Sequence, residues 1–321
     1  MRRNLILSLA VIVLAALGLS GTAYSQDHEP GPPQVIHRVN PYGMGLSVPA
    51  GSTASSSNPI SYHGGPVVTT PVIYLIWYGN WAQSNGSDTL SGQQIVRDFA
   101  ASIGNSPYFN LNTSYTNQSY NAVVSGGVSF TASFNQYTDG YSRGSRLRDS
   151  DVQRIVISAI TKQWGGHADP NGVYFVLTSS DVSEQSGFCT RYCGWHTAAT
   201  SSLGRIRYSF VGNANRCLNA CAIQSVGPNG NAGVDAMISV VAHELEETTT
   251  DPDLNAWYDS SGAENADKCA WTFGHSQYLA NGAWANLPLG TRNYLIQRNL
   301  DHNLSGPNGV GDYCMMDATH N

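Results

Sequence analysis

Two runs of this chain read as interior strands. Pro71-Val72-Ile73-Tyr74-Leu75-Ile76-Trp77-Tyr78 is apolar almost without a break and ends at Gly79-Asn80, and Val173-Tyr174-Phe175-Val176-Leu177-Thr178 repeats the character later. A strand without polar alternation is covered on both faces, so such a sheet needs layers on either side. The segments between supply them. A helix is expected from Ser91, with Ile95, Phe99 and Ile103 recurring every fourth residue and Asn105-Ser106-Pro107 stopping it. A second is expected from Ser150, where Gln153 completes a capping box and Val152, Ile155, Val156, Ala159 and Ile160 form the apolar face. Residues 113 to 136 alternate and are expected to form a strand pair turned at Gly126-Gly127, and Arg207 to Val211 gives a third buried strand. Strands alternating with helices predict an α/β or α+β fold, a mixed central sheet with flanking helices.

The compartment follows from the start of the chain and from the cysteines. Arg2 and Arg3 precede an apolar run from Leu5 to Leu19, and Ala23-Tyr24-Ser25 places small residues at the −3 and −1 positions of a cleavage site. Residues 1–25 are therefore expected to be a signal peptide, with no membrane segment after its removal. Residues 26–60 carry Pro30, Pro32, Pro33 and Pro41 and the tract Gly51 to Ser57, which predicts an extended or disordered Pro/Gly/Ser-rich linker. Residues 61–321 are expected to form one globular domain. The destination is secreted, extracellular or periplasmic. Charged residues make up 12% of the chain, against roughly 25% in an average domain. The net charge of −6 and the lack of basic clusters argue against a nucleic-acid partner. Cys189, Cys193, Cys217, Cys221, Cys269 and Cys314 form an even set that reads as three disulfides. Pairing 189 with 193, 217 with 221 and 269 with 314 is one solution, and crossed pairs between the two C-x3-C units are equally allowed.

The candidate chemistry lies on a third helix that begins near Gly233-Val234-Asp235. It is apolar almost all round through Met237, Ile238, Val240 and Val241 until His243, so it is expected to be buried. His243-Glu244-Leu245-Glu246-Glu247 follows. The chain has only six glutamates, and His-Glu-x-x-Glu should occur by chance roughly 0.003 times. Helical spacing stacks His243 and Glu247 on one face, about 5–6 Å apart at Cβ, where one imidazole and one carboxylate can share a divalent ion. This is the pattern of the His-Glu-x-x-His zinc helix with Glu247 in place of the second histidine. A third ligand is expected from Glu264, then Asp267, then Asp251. Glu244 is the expected general base, with metal-activated water attacking the carbonyl of a peptide or protein substrate. Zn²⁺ is the first expectation, although the glutamate hardens the site toward Mn²⁺ or Ca²⁺. The competing expectation is a purely structural polar cluster, with Glu246 and Glu247 solvated at a helix end.

Three neighbouring features need weighing. Asp251-Pro252-Asp253-Leu254-Asn255 with Asp259 suggests a calcium loop, but Ala256 stands where that loop needs glycine, so a Pro-anchored turn with Asx hydrogen bonds is the stronger expectation. His196, in Cys193-Gly194-Trp195-His196, can line the same cleft, although a satisfied loop histidine is the default reading. His63, in Tyr62-His63-Gly64-Gly65, is a weaker candidate of the same kind.

These motifs together resemble a known family. Tyr62-His63-Gly64-Gly65-Pro66-Val67, Tyr74-Leu75-Ile76-Trp77-Tyr78-Gly79-Asn80-Trp81, Val176 to Val182, Gly187-Phe188-Cys189 with Cys193-Gly194-Trp195-His196, and Phe210 to Cys221 are similar to the EXORDIUM, or phosphate-induced protein 1, family over residues 62 to 270. The resemblance implies a secreted cell-wall or apoplast protein linked to growth, non-catalytic or of unsettled activity. The pattern of the plant members lacks the acidic His-Glu segment. Its presence here, with Thr250-Asp251-Pro252, Ala256 to Asp259 and Glu264 to Cys269, resembles bacterial relatives regarded as zinc-dependent peptidases.

Overall fold

The computed structural model describes residues 34–44, 58–117, 122–302, 305–306, 309–310 and 313–317. The expected signal peptide and much of the expected linker lie outside the described residues. The core is a mixed six-stranded sheet. Its strands are β1 (Val35–Arg38), β2 (Val72–Tyr78), β3 (Gln136–Asp139), β4 (Gly172–Thr178), β5 (Tyr192–Ser201) and β6 (Gly204–Gly212), in the order β1-β5-β6-β4-β2-β3. The four strands β6-β4-β2-β3 pair in parallel, while β1-β5 and β5-β6 are antiparallel. The two apolar runs, β2 and β4, sit centrally and side by side, and from Ile73 to Tyr78 and Gly172 to Thr178 every residue is buried. Continuous apolarity thus reports a double-covered position, as expected.

Three long helices cover the sheet: α1 (Leu90–Ser102), α2 (Asp149–Gln163) and α3 (Ala232–Thr250). The Thr89 hydroxyl caps α1 by accepting from the Gly92 N–H at 2.9 Å. The capping box of helix α2 lies two residues earlier than expected, from Arg148 to Asp151 instead of Ser150 to Gln153. Asp151, rather than Gln153, accepts the Arg148 N–H at 3.1 Å, because a carboxylate in the first turn also complements the helix dipole. Helix α3 packs on β5 and β6 and against α1. Among the described residues no helix is long and apolar enough to cross a membrane.

Two expectations need correction, and one strand is new. Residues 113 to 136 do not form a hairpin at Gly126-Gly127. Thr116–Asn117 pairs with Ala122–Val123 instead. Gly126 adopts φ 78°, and the chain around it turns onto the start of β2, with Ser125 N–H on the Thr69 carbonyl and Ser129 N–H on that of Pro71. Strand β5 was not anticipated, because its buried Cys, Gly, His and Thr hide the apolar signal. Val35–Arg38, inside the expected linker, is extended but not free, since it forms the edge strand β1 against β5.

The disulfides take the crossed pairing. Cys189 joins Cys217, Cys193 joins Cys221, and Cys269 joins Cys314. The segment entering β5 lies alongside the short helical turn Leu218–Cys221, so residue 189 faces 217 and 193 faces 221, with Cα separations of 5.8 and 5.5 Å. Both fall in the window a disulfide requires. In the chain-entropy view each link stabilises by about 3–4 kcal/mol.

Candidate metal centre

The centre is built where the last two turns of α3 meet β5 and the loop after Asp259. From Val240 to Thr250 every residue of α3 is buried. The helix can approach β5 this closely because Gly194 has no side chain. A Cβ there would stand 2.5 Å from Val240 Cγ1 and 2.9 Å from Glu244 Oε1. Glu246 and Glu247 are therefore not solvated at a helix end, since both are completely buried.

His243 and Glu247 meet as the helical spacing requires, with Nε2 and Oε1 2.9 Å apart. The loop that follows supplies two more carboxylates. Asp267 Oδ1 lies 3.6 Å from His243 Nε2, and the Asp267 N–H donates to Glu247 Oε1 at 3.0 Å. Glu264 Oε2 lies 3.3 Å from the Nε2 of His196, which is also 3.5 Å from Glu247 Oε2. The loop is held rigid from both ends. Lys268 Nζ pairs with Asp259 at 2.6 Å, and Cys269 is bonded to Cys314. So Glu264 and Asp267, alternatives in the sequence, both arrive, one at each histidine. His196 is not a loop histidine. It points from the middle of β5 into the cluster and is fully buried.

These contacts are close without being hydrogen bonds. Neither ring nitrogen of His196 or His243 has a hydrogen-bond partner, nor do both oxygens of Glu244, Glu247 Oε2 or Glu264 Oε2. Buried polar atoms are rarely left so. A zinc ion with ligands at about 2.0–2.1 Å spaces them about 3.3 Å apart, and the separations here run from 2.9 to 3.6 Å. The donor set therefore fits a divalent cation.

Burial dominates the electrostatics. It pushes the Glu244 and Glu264 carboxyls well above the usual carboxylate range, helped by neighbouring carboxylates. Burial and then the Asp267 carboxylate push Glu247 up to about 7. Burial and the proximity of His243 lower His196 to about 3. For His243, burial opposes protonation, but Glu247 and Asp267 outweigh it and hold the imidazole above its ordinary value. In each case a positive charge among these groups is what the arrangement lacks.

The inner wall contains a residue that sequence reasoning missed. His37 of β1 stacks on His243, ring centroids 4.1 Å apart and planes 10° from parallel, and its Nε2 lies 2.7 Å from the Gln297 amide nitrogen. Val35-Ile36-His37-Arg38-Val39 has no apolar alternation that would have marked it. Glu246 points elsewhere, to the amides of Asn112 and Asn299. Asp251 closes the turn after α3, its Oδ1 accepting the N–H groups of Asn255 and Ala256 at 2.6 Å each. His63 is exposed and stacked on Tyr258, centroids 3.6 Å apart, so the cluster does not include it among its contacts.

One of these carboxylates reaches solvent. Asp267 keeps 20% of its side chain exposed and lines a cleft of about 440 Å³ between Gln34 and β1 on one side and the loop Ser261 to Ala270 on the other. That size suits a ligand. A second hollow of about 20 Å³, lined in part by Trp271, Phe273 and Leu295, has room for about one water.

Fold and site together define a disulfide-braced α/β protein with a buried imidazole–carboxylate centre at the end of a core helix. The chain belongs to the phosphate-induced protein 1 family, whose conserved region matches residues 60–287. It is 31% identical over 296 residues to Protein EXORDIUM-like 5 of Arabidopsis thaliana, covering 78% of each chain. It is 32% identical over 293 residues to Protein EXORDIUM-like 3 of the same plant, covering 78% of this chain and 84% of that one. Protein PHOSPHATE-INDUCED 1 of Nicotiana tabacum is 26% identical over 248 residues, covering 68% of this chain and 74% of that one. No solved structure matches the chain. The matched span contains His196, His243, Glu244, Glu247, Glu264 and Asp267 and leaves His37 and Cys314 outside.

Proposed function

We propose that this chain is an exported, divalent-cation-dependent hydrolase acting on a peptide or protein substrate, a metal-carrying branch of its family. The observation that supports it is the buried, unpartnered donor set of His243, His196, Glu247 and Glu264, which opens through Asp267 onto a substrate-sized cleft. Zn²⁺ suits the two imidazoles, and Mn²⁺ or Ca²⁺ suits the carboxylates. Such an ion polarises a carbonyl and makes water acidic near neutral pH. Glu244, with a carboxylate oxygen within 4.8 Å of ligand atoms on His196 and Glu247, takes the proton from water and returns it to the leaving group. Asp259 and Lys268 fix the loop that presents Glu264 and Asp267. The three disulfides support folding in an oxidising, extracellular setting.

A second reading is a non-catalytic extracellular protein of the EXORDIUM type in which the ion is structural. The near-complete burial of His196, His243, Glu247 and Glu264 favours it. Hydrolysis separates the two. Purified protein is analysed for bound metal and assayed on a generic protein substrate beside Glu244→Gln. The expected result is bound metal in both and activity about 10²–10⁴-fold lower in the variant. Equal activity in the variant, or metal-free wild type, sinks the hydrolase.

A further inference from the structure

We infer that the centre binds two divalent cations bridged by Glu247, an inference that rests on the metal-centre reading above. The ligand atoms do not surround one point. They form a chain: Asp267 to His243 at 3.6 Å, His243 to Glu247 Oε1 at 2.9 Å, Glu247 Oε2 to His196 at 3.5 Å, and His196 to Glu264 at 3.3 Å. The two oxygens of Glu247 thus face different imidazoles. Two sets of ligand atoms lie within 4.8 Å of one another, His243-Glu247-Asp267 and His196-Glu244-Glu247, and Glu247 is their common member. Each step is the edge of a coordination shell, but one ion would have to reach both ends of the chain. Two ions need only share the carboxylate in the middle, which sets them about 3.5–4 Å apart, the spacing of two-metal hydrolytic sites.

Charge gives an independent reason. Glu244, Glu247, Glu264 and Asp267 bring four carboxylates together, and the ion pairs that reach Glu247, Glu264 and Asp267 come from His196 and His243. Imidazoles bound to metal are neutral. One divalent ion leaves two buried negative charges uncompensated, which is costly, and two ions balance all four. His196 is the second pointer. It is fully buried, aimed at Glu247 and Glu264, and without a hydrogen bond on either nitrogen.

The two positions differ in access. The one at His243 and Asp267 borders the cleft, with Asp267 20% exposed, while Glu264 beside His196 is 2% exposed. The outer ion exchanges with solvent and the inner one is retained.

The test is metal stoichiometry of the full chain saturated with Zn²⁺, then with Mn²⁺ for electron paramagnetic resonance. Wild type is expected to hold two ions per chain, to give a spin-coupled Mn²⁺ spectrum, and to lose one ion before the other under a chelator. Asp267→Ala and His196→Ala are each expected to hold one ion with an uncoupled spectrum. One ion per saturated wild-type chain, or two uncoupled ions, overturns the bridge and leaves the metal-centre reading standing. No bound ion overturns both. Should either variant fail to fold by circular dichroism, the wild-type count and spectrum still decide.

Discussion

Two acidic regions sit beside each other at the end of α3, and they are solved differently. In the turn from Asp251 to Asp259, Asp253 is paired with Arg205 and Arg207 at 3.0 Å each, and Asp259 with Lys268 at 2.6 Å. Backbone N–H groups of Asn255 and Ala256 donate to Asp251 Oδ1 and those of Ser261 and Ala263 to Asp259 Oδ1, which leaves Asp251 Oδ2 as a buried oxygen of the turn without a partner. In the centre, Glu244, Glu247, Glu264 and Asp267 converge on two histidines and leave buried oxygens without partners. In the turn Asp253 and Asp259 carry their own cations, whereas among the described residues no lysine or arginine pairs with the carboxylates of the centre. That contrast bears on the two readings a cluster of acids always offers. Acidic side chains matched by Arg, Lys and backbone N–H groups are architecture, while unmatched ones held by a rigid frame mark a site.

Breaking the centre should have the largest effect. Glu247→Gln keeps the volume but removes the charge both histidines face. Saturating Zn²⁺ should raise the unfolding free energy of wild type by about 4 kcal/mol at a thousandfold excess over Kd. In the variant most of that gain should vanish in thermal melts with and without zinc. A wild-type zinc shift in the variant would count against the centre. Next is Asp251, which no cation reaches among its hydrogen bonds. Burial raises its pKa from 3.8 to about 6. A raised carboxyl stabilises the fold in its protonated form, so stability falls as pH rises from about 4 to about 6, by roughly 3 kcal/mol. Asp251→Asn keeps an oxygen for the Asn255 and Ala256 N–H groups and should flatten that part of the urea-unfolding profile. Parallel profiles for variant and wild type would refute the assignment. The smallest effect belongs to Asp253→Ala. Its partly exposed pairs should cost about 0.5–1 kcal/mol and leave metal content unchanged, and a lost ion there would erase the contrast between the two regions.

The sequence revealed the double-covered strands, the helices and the pairing of His243 with Glu247, because each is written in local spacing. It did not reveal β5, whose Gly194 and His196 serve the packing of α3 and the centre instead of an apolar pattern. In the sequence His196 reads by default as a loop histidine that can line the cleft, since nothing local shows that a strand aims it at Glu264. His37 was hidden more deeply, in four residues of a proline-rich stretch whose partner strand lies far along the chain. The crossed disulfides were undecidable for the same reason. Whether C-x3-C units close on themselves or on each other depends on which segments lie side by side.

The stacking of His37 on His243 also joins distant parts of the chain. His37 reaches its amide partner, Gln297, across 260 residues of chain, whereas the three disulfides close across 28, 28 and 45. Loop closure grows costlier with length, and distant pairings form late. The covalent links brace β5 and the loop around Asp267 through short closures, whereas the N-terminal strand docks along the edge of β5 across a far longer one. The wall behind His243 is therefore the part of the centre whose closure costs the most chain entropy.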